Sequence, residues 1–286
     1  VENIYKNIFS FGQKYKNIDD EIPLHKKPIT FVGLNKENTT KNNMPETLLP
    51  TKDLTTKARN WEYFYALAAI GDIAGRIAGS VNLDLIFKPL LMIGLLLYFW
   101  NSIAGKLTNF SRFIIGALFF SWVGDIFLML PFNQSTFFIF GLLSFLAAHL
   151  FYIFAYSIAN QGFSNPTLFK QKPVYFLPFL LYLIGLYSLL FPALGDLAAP
   201  VLVYAVVLLG MGIFALNRYG KTNAMSFQYI LVGAVLFIIS DSCIALDKFV
   251  FQGQMPLGGV LVMLTYISGQ YYIVKGAIAH LSRSEQ

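Results

Sequence analysis

Charge is the first thing this sequence is short of. Asp, Glu, Lys and Arg make up 13% of its 286 residues, where a soluble domain carries roughly a quarter. Cysteine is nearly missing: Cys243 stands alone, so neither an intramolecular disulfide nor a CxxC metal or redox site is possible. The three histidines, His25, His149 and His280, are scattered and lack the HExxH spacing of a zinc site. Period-2 alternation is missing too, which argues against a closed β-barrel. What the chain has in quantity is apolar surface. It is 56% hydrophobic and 16% aromatic, with a mean hydropathy of +0.58. This is the composition of a polytopic membrane protein. The net charge of +6 is no nucleic-acid footprint, because 10 of the 21 Lys and Arg residues fall within the first 59 positions and most of the others in short loops. No nucleic-acid partner is expected.

Residues 1–58 are rich in Lys, Asn and Thr and carry Pro23, Pro28, Pro45 and Pro50. They read as a polar, mostly disordered tail, with a short interfacial helix expected near Ile4–Phe11, a stretch too short for a signal-peptide core. The sequence begins at Val1 rather than Met, consistent with residues missing upstream. Residues 59–286 form the second region. A crossing helix needs ~20 apolar residues, and eight runs qualify: 61–80, 84–101, 111–130, 136–159, 174–191, 198–216, 226–247 and 256–279. The breaks carry turn chemistry, as in Pro131-Phe-Asn133 and Gly253 to Gly259. The expected fold is an all-α membrane protein, a polytopic bundle of eight transmembrane helices.

The loop charges orient it. With eight crossings, the tail, the even-numbered loops and the C-terminus share one side. That side holds the tail cations with Lys106, Arg112, Lys170, Lys172, Arg218, Lys221 and Arg283, and the other holds Lys248, with Lys88 just inside a crossing. The positive-inside rule puts both termini in the cytoplasm.

Two runs depart from apolar monotony. Gly116–Leu130 contains Ser121 and Asp125, and Gly233–Asp247 contains Ser240 and Asp241. A carboxylate in such a run is costly, which makes each acid a functional candidate. Each lies six residues before the expected outer end of its run, ~9 Å along a helix, so the two are expected to face each other at matching depth and share a proton. The similar order of Gly-Ala, Phe, Ser and Asp, four crossings apart, fits an old duplication or chance alike. Other polar positions fall at helical spacing: Ser121 with Asp125; His149, Tyr152 and Tyr156; Tyr266 and Gln270. Asp72 and Arg76 read as a neutralising i,i+4 pair, and Gly71, Gly75 and Gly79 as a close-packing seam. Two acids sharing one proton suit hydrolysis of an acid-labile lipid bond or proton-coupled transport. Residue composition leaves both open, together with a scaffold whose tail binds a partner.

The set Lys88-Pro89-Leu90, Ser121-Trp-Val-Gly124-Asp125, Gly141, Phe145 to His149 and Tyr152, continued by Tyr204, Gly233-Ala234 to Ser240-Asp241, and Tyr266 to Gln270, resembles the YhhN-like lysoplasmalogenase family over about residues 61–280. The resemblance implies a multi-pass membrane enzyme that hydrolyses the vinyl ether of lysoplasmalogens. Its products would be a fatty aldehyde and glycerophosphoethanolamine or glycerophosphocholine. No cofactor and no metal are implied, and the partners are a lysophospholipid substrate and membrane lipids. The paired acids carry over to Asp125 and Asp241. Lys88 is a candidate for the phosphate; Ser121, His149, Tyr152, Tyr204, Ser240, Tyr266 and Gln270 are candidates for binding or orienting substrate and water. The expected location is a bacterial cell (inner) membrane. The tail and the Asp72–Arg76 pair depart from the family pattern.

Overall fold

A computed structural model describes residues 52–105, 107–130, 134–160 and 166–283. The expectations for most of the tail, including the helix near Ile4–Phe11, lie outside these residues. Among them there is no strand. Eight long helices follow in order: α1 (Lys52–Ile77), α2 (Val81–Ser102), α3 (Asn109–Met129), α4 (Gln134–Ala159), α5 (Leu177–Leu194), α6 (Ala198–Leu216), α7 (Ala224–Ala245) and α8 (Gly258–Arg283). α1 starts nine residues ahead of its expected run, so the last residues assigned to the tail are helical. One turn of helix at Leu168–Gln171 and a 3₁₀ turn at Pro173–Phe176 lead into α5.

Five stretches are long and apolar enough to cross a membrane: Val81–Ser102, Asn109–Met129, Thr136–Ala159, Pro173–Leu216 and Ala224–Val250. The fourth holds both α5 and α6, broken at Gly195, whose φ of 51° is readily adopted by glycine. α1 and α8 fall short by this measure. Glu62, Asp72 and Arg76 interrupt α1, and glycines, Gln270 and Lys275 dilute α8. Large apolar side chains cover the exterior, Leu180, Leu181 and Ile184 of α5 among them. Water would not tolerate that surface, whereas lipid requires it.

The helices that carry the acids have well-defined starts. Thr108 and Ser111 form a reciprocal capping box at α3, with Ser111 N donating to Thr108 Oγ1 over 3.1 Å and Thr108 N to Ser111 Oγ over 2.8 Å. At α7, Ser226 N donates to Asn223 Oδ1 over 2.6 Å. Asp125 and Asp241 then lie at matching positions, each four residues before the last residue of its α-helix.

Close packing holds the acid-bearing helices to their neighbours. A Cβ at Gly233 would stand 2.6 Å from the Gly269 carbonyl oxygen and 2.8 Å from Ile273 N, so α7 and α8 touch backbone to backbone. The seam expected on α1 is half realised. Gly71 and Gly75 press on Phe87 and Leu83 of α2, but Gly79 has open space around it and a φ of 66°, and turns the chain. Asp72 and Arg76 pair as expected, at 3.1 Å, and Arg76 also reaches Asp84 of α2 at 2.8 Å. The main core runs through Leu91, Leu95, Ile114, Tyr152, Phe237 and Ile273. A smaller cluster of Leu190, Leu194 and Val201 packs α5 against α6.

Candidate active site

Asp125 and Asp241 are both buried, 2% and 8% exposed, and each belongs to a different polar group. Around Asp125, the Tyr266 hydroxyl donates to Oδ2 over 2.7 Å and Lys88 Nζ lies 3.6 Å from Oδ1. Pro89, next to Lys88, contributes no amide to the α2 ladder. One turn earlier on α3, Ser121 accepts from Gln270 Nε2 over 2.9 Å, and Gln270 Oε1 accepts from Tyr152 Oη over 2.5 Å. α3, α4 and α8 are thus tied together by side chains that hydrocarbon alone would leave unsatisfied.

Around Asp241, Tyr204 Oη donates to Oδ2 over 2.5 Å. His149 Nε2 lies 3.1 Å from the same oxygen and 3.1 Å from Tyr204 Oη. α4, α6 and α7 meet at this trio. His149 Nδ1 has no partner among the described residues.

The two groups share no hydrogen-bond partner. Phe237 stands between them, its ring 4.9 Å from that of His149 and 5.4 Å from that of Tyr266. Phe145 adds a second ring, 5.9 Å from Tyr266 and pressed on Gly124 beside Asp125. Phe237 thus packs against a ring from each group.

A cavity opens on the Asp241 side. It encloses about 620 Å³ of space, its open mouth included, and Asp241, Tyr204 and Ser242 are the polar residues in an otherwise apolar wall drawn from α3, α4, α5, α6, α7 and the turn that follows α7. Asp125 and Lys88 do not line it. A narrower apolar gap between α5 and α6 shares Leu186, Leu190, Val201, Ala205 and Leu208 with it. An apolar wall with a few convergent polar groups is the lining of a site for a largely apolar ligand.

Of the other candidates, Ser240 is turned away and donates to the Val262 carbonyl over 3.0 Å. Tyr156, in line with His149 and Tyr152, has an unpartnered hydroxyl and packs under the Arg218 guanidinium, 5.6 Å from ring centroid to Cζ. Sequence reasoning missed Ser242, which lines the cavity and meets Tyr182 Oη at 2.7 Å. It adjoins Asp241, and a serine beside an intramembrane acid was the available signal. Among the described residues no group of three or more His, Cys, Asp or Glu side chains is placed to hold a metal ion.

Known proteins resemble this chain over the same region. The family model of the YhhN family matches residues 83–277. Lysoplasmalogenase TMEM86A of Bos taurus is 32% identical over 173 residues, covering 59% of this chain and 65% of that protein. Its Homo sapiens counterpart is 33% identical over the same shares. A lysoplasmalogenase homolog of Dictyostelium discoideum is 29% identical over 260 residues, 74% of this chain and 84% of that one. The match therefore spans just under two thirds of the mammalian relatives' own length. No solved structure matches. With the matched residues running from α2 into α8, and Asp125, Asp241 and all their side-chain partners among them, the chain belongs to the YhhN family.

Proposed function

We propose that this chain is a multi-pass membrane hydrolase that cleaves the vinyl ether bond of lysoplasmalogens. The observation that carries the reading is Asp241, buried at the end of an apolar cavity with Tyr204 and His149 on one of its oxygens. The names of the mammalian relatives support the same chemistry. The proposal includes eight crossings with both termini cytoplasmic. The succession of eight long helices among the described residues and the one-sided distribution of loop cations support it.

A vinyl ether is cleaved by protonating its β-carbon, which leaves an oxocarbenium ion. Water adds to the α-carbon and gives a hemiacetal. The hemiacetal collapses to a fatty aldehyde and the glycerophospho-alcohol, so one water is consumed overall. The first step needs a positioned proton donor, and the second a group that takes a proton from water. In this proposal the Asp241–His149–Tyr204 trio does both: its carboxyl group faces the cavity, and imidazole and phenol exchange protons behind it. A carboxylate beside the cation also stabilises it. Asp125 has a different task. Paired with Lys88 and bonded by Tyr266, it positions the Tyr266 ring against Phe145 and Phe237, which back the reacting end.

Purified protein incubated with a lysoplasmalogen and with its ester-linked analogue tests the reading. Aldehyde is expected from the vinyl ether alone, and not from the Asp241→Asn variant. No aldehyde from the wild type, with active controls, would replace the enzyme by a lipid-binding protein or a proton-coupled transporter.

A further inference from the structure

The cavity accounts for a hydrocarbon chain and a reacting end, but not for a charged headgroup. Lys88, the expected phosphate contact, is 9% exposed and has Asp125 as its partner away from the cavity. Another cation stands at the rim. Lys248 Nζ lies 4.1 Å from the centroid of the Phe138 ring. Phe138 and Phe249 both line the cavity and meet edge to face at 6.1 Å. Lys248 itself is exposed, and no ion pair joins it to a carboxylate of the described residues. Its neighbour Asp247 is engaged elsewhere, with Oδ1 accepting from Met255 N over 2.9 Å.

The spacing fits a lysophospholipid. Lys248 sits on a π-helical turn, Leu246–Val250, that continues α7 beyond Asp241. π-turns recur at functional sites because they re-aim side chains. Seven residues separate Asp241 from Lys248, ~10 Å at helical rise. From the vinyl ether carbon to the phosphorus is six bonds of ~1.5 Å, roughly 7 Å when extended. The flexible lysine stem covers the difference. A cation resting on an aromatic face keeps N–H groups for an anion.

We infer that Lys248 is the phosphate contact of this site, holding the headgroup of a single-chain phospholipid at the rim while the chain lies against Leu186, Leu190 and Leu208. The inference rests on the lysophospholipid reading of the cavity. It makes the site selective for phosphate-bearing ethers over headgroup-free glycerol ethers.

Binding separates this inference from the hydrolysis proposal, because the probes contain no vinyl ether. Affinities of a saturated 1-O-alkyl-glycerophosphoethanolamine and of the matching 1-O-alkylglycerol are measured on the full chain in detergent, for wild type, Lys248→Gln and Lys248→Arg. Lys248→Gln is expected to weaken the phospholipid ~5-fold, the scale of one interfacial cation on an anionic lipid, and to leave the alkylglycerol unchanged. Lys248→Arg should retain the wild-type preference. Equal weakening of both probes would reassign Lys248 to packing on Phe138. No change for either would remove it from the site. Aldehyde assays decide the chemistry independently.

Discussion

Lys88 Nζ and Asp125 Oδ1 lie 3.6 Å apart, both side chains largely buried, the lysine from α2 and the aspartate from α3. Breaking a buried ion pair on one side leaves a charge without its counter-ion, which costs on the order of 3–5 kcal/mol, and among the described residues Asp125 would keep only the Tyr266 hydroxyl. Lys88→Met is therefore expected to lower the thermal midpoint in detergent sharply. The Lys88→Met, Asp125→Asn double variant should recover part of the loss, because both charges are then gone. A double-mutant cycle measures this, and additive losses would mean that the two side chains do not interact.

Asp241, His149 and Tyr204 should separate from that pair kinetically. In the proposed reaction Asp241→Asn removes the proton donor and is expected to slow aldehyde release by about 10²–10⁴-fold, the range of general acid catalysis. Tyr204→Phe keeps the ring and loses the hydroxyl's contacts with Asp241 and His149, so a drop of roughly tenfold or more is expected. Neither change enlarges the apolar cavity, so KM should move little. A raised KM with unchanged kcat in Tyr204→Phe would assign that hydroxyl to binding instead.

Much of this could be read from the sequence because hydrocarbon is intolerant of polar groups. Ser121, Asp125, His149, Tyr152, Tyr204, Asp241, Tyr266 and Gln270 stand out in apolar runs, and the structure pairs each of them within hydrogen-bonding reach of another. The partition into two groups was not legible. It depends on Phe145 and Phe237, and a phenylalanine in an apolar helix looks alike whether it faces lipid or separates two carboxylates. Depth along a helix follows from counting residues, whereas rotation about its axis does not. The equal depth of the two acids suggested a shared cavity, and the cavity is lined by Asp241 and by Leu128 of α3 but not by Asp125.

Gly233 offers a packing test independent of chemistry. Its missing Cβ lets α8 approach until the Gly269 carbonyl oxygen is 2.6 Å from where that Cβ would be. Backbone cannot move aside as a side chain can. Gly233→Val is expected to force α7 and α8 apart and to destabilise by at least the 1–3 kcal/mol typical of overpacking. The readout is a lower thermal midpoint together with lost aldehyde release, because Asp241 and Tyr266 ride on the separated helices. Gly210 provides the control: its nearest neighbour is the end of a flexible side chain, Ile153 Cδ1, at 3.5 Å. Gly210→Ala should be tolerated.

His280 gives the pH prediction, because it lies just beyond the expected crossing at 256–279. Burial first, and the Arg218 guanidinium second, push its pKa down from 6.5 to about 4. Its Nδ1 lies 3.2 Å from Thr222 Oγ1, and its ring packs 4.4 Å from that of Phe110. The folded state thus holds the imidazole neutral where the unfolded chain would protonate it. A depressed folded pKa stabilises fully above the unfolded value and loses that contribution as pH falls. The expected result is a thermal midpoint that declines between about pH 6.5 and 4, and declines less in His280→Gln, which has no proton to take up. The charge on Arg218 should set part of the slope, so Arg218→Met, His280 intact, should shift the decline to higher stability at low pH relative to its own neutral-pH midpoint. Parallel pH curves for wild type and His280→Gln would show that carboxylates alone carry the acid sensitivity.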